Sequence, residues 1–318
     1  MAPLRSCKWI CLRLNNALIK RHVLVLNEYL DLKYLGFEKY KYFEYVIFRF
    51  CDNPQLCRMI ETNHNYCMQV FKCPDNMQNI RHNIKCIFKT SILGHICIID
   101  NKTPMYLFLK EWFVLPEYKI DTLKAESLIW GFPHVIVFDL DSTLITEEER
   151  VQIRDPFVYE SLQELQNIGC ILILWSYGCK EHVASSLTEL GLTKYFDIII
   201  AEGSVAQSCD NAIVSPNMML TDYKLQRQFI VTNFNLDISN DEQHDYLPKS
   251  PKIVIKHLSD KNLNYFKSIT LVDDLPSNNY AYDFYIQVQR CPEPVHDWEH
   301  YHSLIIQNMQ NYENTYNF

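Results

Sequence analysis

Glycine is scarce in this chain, at seven residues in 318, where an average protein of this length holds about three times as many. With 48% hydrophobic and 21% charged residues, the chain is neither collagen-like, nor a Gly/Ser linker, nor disordered. Its length allows one large domain or two ordinary ones. No uncharged apolar run is long enough to cross a membrane; the longest, Ser91 to Ile99, is closed by Asp100. No secretory signal is expected, because Arg5, Lys8 and Arg13 interrupt the start and no small-residue cleavage site follows. An intracellular, reducing location is therefore expected for the 12 cysteines. Cys51, Cys57, Cys67 and Cys73 cluster with His64, but the spacing is C-x5-C twice and not the tight C-x2-C of zinc knuckles. Buried thiols are the preferred reading there, with zinc as the lesser one. A lysine- or arginine-rich block and a glycine-rich aromatic RNA-binding signature are both lacking.

Charge and glycine are unevenly distributed. Residues 1–130 carry a net +6 and residues 131–318 a net −14. This is consistent with two domains, and with an acidic half that attracts a basic partner. Five of the seven glycines fall between Gly131 and Gly203, where tight strand-to-helix turns are expected.

The amino half, residues 1–128, reads as a mostly helical, Cys-rich domain. Leu24, Leu26, Tyr29, Leu30, Leu32 and Leu35 suggest a helix stopped by Gly36. Residues 51–83 look loop-rich around Pro54 and Pro74. From residue 129 to 318 the texture is that of an α/β domain. Apolar strands are expected at 134–138, 171–175, 196–200, 269–272 and 284–288, with a short extended piece at 253–255. Helices are expected at 157–168 and 180–190, closed by Gly169 and Gly191, and at 298–312. A polar insertion fills 204–250. Strands alternating with helices imply a central parallel sheet covered on both faces, with its site at the carboxyl ends of the strands.

Those ends carry the informative residues. The first strand runs into Asp139-Leu-Asp141-Ser-Thr143, the second into Ser176-Tyr177-Gly178, and a later one into Asp273-Asp274 with Asn278 close behind; Lys256 follows the insertion. The set suits phosphoryl transfer. Asp139 is placed as nucleophile. Asp141, two residues on, can donate a proton to the leaving alkoxide and then take one from water. Asp139, Asp141, Asp273 and Asp274 are the candidate ligands of a Mg²⁺ ion that would relieve their repulsion for phosphate. Thr143, Ser176, Tyr177 and Gly178 are candidate substrate-binding groups, and Lys256 supplies a fixed positive charge. His134 and His182 are assigned no role.

These motifs resemble the haloacid dehalogenase (HAD) phosphatase superfamily. Its D-x-D-x-T motif is matched by Asp139, Asp141 and Thr143, its strand-ending Ser by Ser176, its lysine by Lys256 and its acidic pair by Asp273 and Asp274. The run Phe-Asp-Leu-Asp-Ser-Thr-Leu is most similar to the branch acting on the RNA polymerase II C-terminal domain. The resemblance covers roughly residues 131–290 and implies a HAD-like Rossmannoid domain. The whole chain is also similar to baculovirus nucleocapsid-assembly proteins. That likeness implies a host-nuclear and virion location, a phosphorylated basic DNA-binding protein as substrate, and nucleocapsid or capsid proteins as partners. Between Asp141 and Ser176 there is room for a flap and one helix but not a cap domain, which favours a macromolecular substrate.

Three readings follow: a Mg²⁺-dependent phosphoprotein phosphatase; a nucleocapsid scaffold on the same fold with little turnover; and a nucleic-acid end phosphatase or binding module using the basic half. Self-association and direct nucleic-acid binding are left open, and no membrane partner is expected.

Overall fold

A computed structural model describes residues 6–36, 39, 41–125, 131–147, 151–205, 218–222, 227–236 and 249–318. The chain divides into two compact units that interleave in sequence. One comprises Met1–Phe132, Ser250–Lys267 and Glu313–Phe318; the other comprises Pro133–Lys249 and Ser268–Tyr312.

The amino-terminal unit is built on a mixed sheet and is not mostly helical. Its strands are β1 (Ser6–Leu14), β2 (Val23–Val25), β3 (Tyr45–Arg49), β4 (Tyr66–Pro74), β5 (Ile96–Ile98) and β6 (Val114–Pro116). They lie in the order β4-β1-β3-β2-β5-β6. β1 pairs antiparallel with both β3 and β4, whereas β2, β3, β5 and β6 are joined in parallel. Helices α1 (Pro54–Glu61), α2 (Met77–Phe88) and α3 (Phe108–Glu111) connect them. The segment expected to be one helix, from Leu24 to Leu35, instead splits into β2 and a 3₁₀ turn at Tyr29–Leu35. Its apolar residues are spaced well enough for a helix, but the β-branched Val23 and Val25 fill a strand buried between two others. The loop-rich expectation for 51–83 is replaced by α1, β4 and the start of α2. Asn53 caps α1 by accepting from the N–H groups of Gln55 and Leu56, with Pro54 at its first position.

The unit also holds a buried polar knot. The His22 Nδ1 accepts from the His95 N–H at 2.9 Å, and its Nε2 lies 2.9 Å from the Tyr265 hydroxyl. His95 Nε2 meets Asn264 Oδ1 at 2.6 Å. Gly94 is required beside it, since a Cβ there would lie 2.5 Å from His22 Nδ1. None of the eleven described cysteines is in a disulfide. The buried thiols expected at Cys51, Cys57, Cys67 and Cys73 are found only at Cys73, Cys51 and Cys67 being exposed; with His64 these residues form no metal-ligating group among the described residues.

The second unit follows the sequence expectation closely. Its elements are β7 (Val135–Phe138), α4 (Phe157–Ile168), β8 (Ile171–Trp175), α5 (Lys180–Glu189), β9 (Ile198–Val205), β10 (Met218–Asp222), β11 (Arg227–Leu236), β12 (Ile269–Asp273) and β13 (Phe284–Gln287). Five of these strands make an all-parallel core in the order β9-β8-β7-β12-β13. β11 extends it in parallel and β10 closes that side antiparallel. Part of the expected polar insertion is therefore strand; 206–217, 223–226 and 237–248 lie outside the described residues. Gly169 ends α4 at φ +90°, its N–H bonded back to the last turn. Ile136, Phe138, Leu172 and Leu174 on one face are fully buried with Leu162, Leu165 and Trp298, and Val135, Val137, Ile173 and Trp175 on the other face are fully buried too, so both faces of the sheet are covered.

Two helices complete the chain. α6 (Pro251–Asp260) belongs to the amino-terminal unit, and α7 (Trp298–Thr315) runs from the parallel-sheet unit into the final segment of the other. The expected extended piece at 253–255 is the middle of α6. Ser250 caps that helix by accepting from the Lys252 N–H, and Pro251 occupies its first position. Among the described residues no helix is long and apolar enough to cross a membrane.

Candidate active site

The chain proceeds outward from β7 through β8 to β9, then returns to place β12 on the other side of β7. This reversal of strand order opens a crevice at the carboxyl ends of β7 and β12. Asp139 follows β7, and Asp273 ends β12. The contacts of Asp139, Asp141, Asp273 and Asp274 lie within the parallel-sheet unit.

Asp139 is buried. Its Oδ2 accepts from the Thr143 hydroxyl at 2.9 Å, and its Oδ1 from Lys249 Nζ at 2.5 Å. The same ammonium donates to Asp273 Oδ2 at 2.7 Å. Asp273 is fully buried and also accepts from Asn278 Nδ2 and the Leu275 N–H. Asp274 accepts from Arg290 Nε at 3.0 Å. One lysine thus offsets two carboxylates, with the Tyr177 ring 5.3 Å beneath its ammonium. Burial pushes Asp139 up to about 7, against the pull of Lys249 and with a further push from Asp273. Burial alone would lower Lys249, but the two carboxylates outweigh it and hold its pKa above the ordinary lysine value. Burial raises Asp274, opposed by its bond to Arg290. The Tyr177 and Tyr282 hydroxyls are both pushed up by burial and by the Asp273 charge.

Asp141 stands on the loop beyond the strand, and that loop is held by Arg154. The guanidinium of Arg154 donates to the carbonyls of Ser142, Thr143 and Gln289, and its other nitrogens grip Asp297 at 2.7 Å. Ser142 takes a left-handed conformation at φ +60°, a conformation that such surrounding bonds over-determine. Asp141 Oδ2 accepts from the Ser176 hydroxyl at 3.2 Å, and Oδ1 lies 2.7 Å from His182 Nε2. The Gly178 N–H donates to Ser176 Oγ at 3.0 Å.

Of the expected residues, Asp139, Thr143, Tyr177, Asp273 and Asp274 gather with Lys249, and Asp141, Ser176 and Gly178 are bonded to one another beside them in the chain. Lys256 does not join them. It lies on α6 in the other unit, exposed, with its Nζ 3.7 Å from Asp260. Lys252 sits in the first turn of the same helix. The lysine that reaches the site is Lys249. Reading 253–255 as a strand put Lys256 at a strand end; the Ser250-Pro251 start of α6 instead leaves Lys249 in the preceding loop. Asp141 is not among the metal-capable oxygens. The group of described residues whose ligand atoms lie within 4.8 Å of one another is Asp139, Asp273 and Asp274. Sequence reasoning also missed His182, Arg154 and Arg290. His182 carried a readable signal, being one helical turn beyond the Ser176-Tyr177-Gly178 loop.

The fold and site define an α/β protein whose parallel sheet gathers buried carboxylates, a lysine and hydroxyls at its strand-order reversal. By sequence, the chain belongs to the baculovirus family described as Protein of unknown function (DUF705), whose model matches residues 7–317. It is 66% identical over 315 residues to an uncharacterized 38.0 kDa protein of Autographa californica nuclear polyhedrosis virus, covering 98% of each chain. It is 54% identical to an uncharacterized 36.0 kDa protein of Orgyia pseudotsugata multicapsid polyhedrosis virus, again covering 98% of each. A 41.0 kDa protein of Cryptophlebia leucotreta granulosis virus is 36% identical, over 96% of this chain and 85% of its own. Among solved structures, an uncharacterized protein from Listeria monocytogenes serotype 4b is similar at 15% identity and a TM-score of 0.32, over 56% of this chain and 99% of that one.

Proposed function

We propose that this protein is a HAD-like, Mg²⁺-dependent phosphatase that uses an aspartate nucleophile on serine or threonine phosphate in a protein. The observation that carries this reading is Lys249 bridging Asp139 and Asp273 at the strand-order reversal. Beside it, Asp141 lies within hydrogen-bond reach of Ser176. The donor set fits a small hard cation, since Asp139, Asp273 and Asp274 are buried, offer oxygens alone, and bring those oxygens within 4.8 Å of one another. When bound, such a cation would offset the repulsion between these carboxylates and the phosphoryl oxygens.

The residues divide the reaction as follows. An Asp139 oxygen attacks phosphorus, forming an aspartyl O–P bond as the P–O bond to the seryl or threonyl oxygen breaks. Asp141 gives its proton to the departing alkoxide. A water then attacks phosphorus, Asp141 takes its proton, and the aspartyl O–P bond breaks to release phosphate. Lys249, the Ser176 hydroxyl and the Gly178 N–H hold the phosphoryl oxygens and balance the charge that grows on them. Thr143 keeps the Asp139 side chain in place through its 2.9 Å bond.

Between Asp141 and Ser176 the described chain holds two isolated bridges, Asp141 with Ile145 and Ile145 with Ile153, and the single helix α4. This supports a protein segment as substrate over a small metabolite. The net −14 of residues 131–318 favours a basic one, consistent with a phosphorylated DNA-packaging protein in nucleocapsid assembly, in the host nucleus and the virion.

The test is hydrolysis of an aryl phosphate and of a basic phosphoserine peptide, with Mg²⁺ and with chelator. Wild type is expected to turn over both in Mg²⁺ and neither in chelator, and Asp139→Asn neither in any buffer. Equal turnover by Asp139→Asn would remove the nucleophile. Lack of all turnover by wild type, together with particle assembly supported by Asp139→Asn, would leave the scaffold reading in its place.

A further inference from the structure

Both carboxylate oxygens of Asp141 are engaged, and by different kinds of partner. The Ser176 hydroxyl reaches Oδ2 over a long 3.2 Å and is itself tied to the Gly178 N–H. His182 meets Oδ1 at a short 2.7 Å. With the transferable proton of Asp141 on Oδ2, Oδ1 can only accept, so the imidazole Nε2–H is the donor in this pair. His182 is the third residue of α5, and the Ser176-Tyr177-Gly178 loop leads directly into that helix. One short stretch of chain therefore aims both groups at Asp141. Gly178 makes the approach possible: a Cβ there would lie 3.1 Å from His182 Cδ2 and 3.2 Å from Ser176 Oγ. His182 is not needed to cap α5, whose first residues it follows, and its side chain is mostly shielded.

Resting on the phosphatase reading above, we propose that His182 is a positioning residue for Asp141. It fixes Oδ1, so that Oδ2 is the oxygen that carries protons to the leaving group and from the attacking water. The two bonds differ in what substrate does to them. The Ser176 hydroxyl is also a phosphoryl-oxygen donor, and turning it to the substrate releases Oδ2. The His182 bond points away from that exchange and persists. Without it the Asp141 side chain can rotate once Ser176 lets go, and the proton transfer loses its alignment.

This makes a prediction that a merely structural histidine does not. Proton donation matters most when the leaving group is a poor one. For His182→Ala, turnover of an aryl phosphate with a good leaving group is expected to stay within about threefold of wild type, while turnover of a phosphoserine peptide falls by about 10- to 100-fold, a part of the usual general-acid contribution. His182→Gln, whose amide N–H can reach the same oxygen, is expected to recover most of that loss. In full-length protein labelled with ¹⁵N-histidine, the His182 Nε2–H signal is expected to shift on Asp141→Asn. An equal loss across leaving groups, absence of rescue by glutamine, or an Nε2–H signal indifferent to Asp141→Asn would each overturn the role of His182 while leaving the phosphatase reading standing. A wild-type protein inert toward every phosphate ester in Mg²⁺ would overturn both.

Discussion

Lys249 carries one positive charge between two carboxylates that are themselves shut away from water. Removing it leaves Asp139 and Asp273 facing each other in a buried space, and breaking such a pair costs about 3–5 kcal/mol. Lys249→Met is therefore expected to lower stability to denaturant by that order in metal-free buffer, and to abolish phosphatase turnover in Mg²⁺. Lys256→Ala, which removes an exposed i,i+4 ion pair, is expected to change stability by no more than about 0.5 kcal/mol and to leave turnover intact. Urea titrations and the aryl-phosphate assay on both variants check this contrast. At this scale the strand-end residues were legible, because Asp139, Asp141, Thr143, Asp273 and Asp274 sit beside apolar strand runs that announce their own ends. Lys249 was not, because it follows a polar stretch and precedes a helix cap. Arg154 was not either: it reaches the loop carbonyls and Asp297 across 143 residues of sequence, and no local pattern records such a contact.

The loop joining β8 to α5 is the element that concentrates the chemistry, since Ser176, Gly178 and His182 all belong to it or to the turn after it. Its backbone geometry is ordinary at Gly178; what the glycine provides is space. For Gly178→Ala, the new methyl must displace the imidazole or the Ser176 hydroxyl by a few tenths of an ångström. Turnover is expected to drop by about tenfold or more, since small misplacements at a reacting centre are costly, while the melting temperature moves little. A large fall in melting temperature with normal turnover per folded molecule would contradict this. Elements such as α4 and β8 were readable to the residue, α4 because it shows a helical period and ends at Gly169, β8 because it is an unbroken apolar run following that turn. The amino-terminal strands were not. β2, β5 and β6 are three residues each, too short to display alternation, and in β1 Trp9 to Leu12 are buried on both faces, so no alternation exists to be seen. At α6 the helix signals Ser250 and Pro251 stand just before a β-branched run, Ile253-Val254-Ile255, whose own preference is for strand and which the cap and proline override.

For the molecule as a whole, the buried histidines of the amino-terminal unit set a limit in acid. Burial lowers His22 to about 3, with a further push from His95, and lowers His95 to about 4 against its bond to Asn264. The unfolded chain takes up protons below the ordinary imidazole value of about 6.5, whereas the folded chain refuses them until far lower pH. Stability is therefore fully present above that value and is lost as pH falls, by about 2 kcal/mol per histidine at pH 5. Denaturation of the full chain at pH 7 and pH 5 should show the loss, and a His22→Gln, His95→Gln double variant should flatten it. An unchanged pH slope in that variant would place the acid sensitivity elsewhere.

The interleaving of the two units has a consequence for how the protein can be divided. Lys249 is the last residue of one uninterrupted stretch, and Ser250 begins a segment that belongs to the other unit. A truncation that keeps only residues after 132 would strip α6 of the unit it packs in, exposing Ile253, Val254, Ile255 and Leu258, immediately beside the lysine on which Asp139 depends. No single cut in the gene, and no single protease nick, releases either unit intact. The two are inherited together, in keeping with relatives that align over nearly the whole chain and not over one half of it.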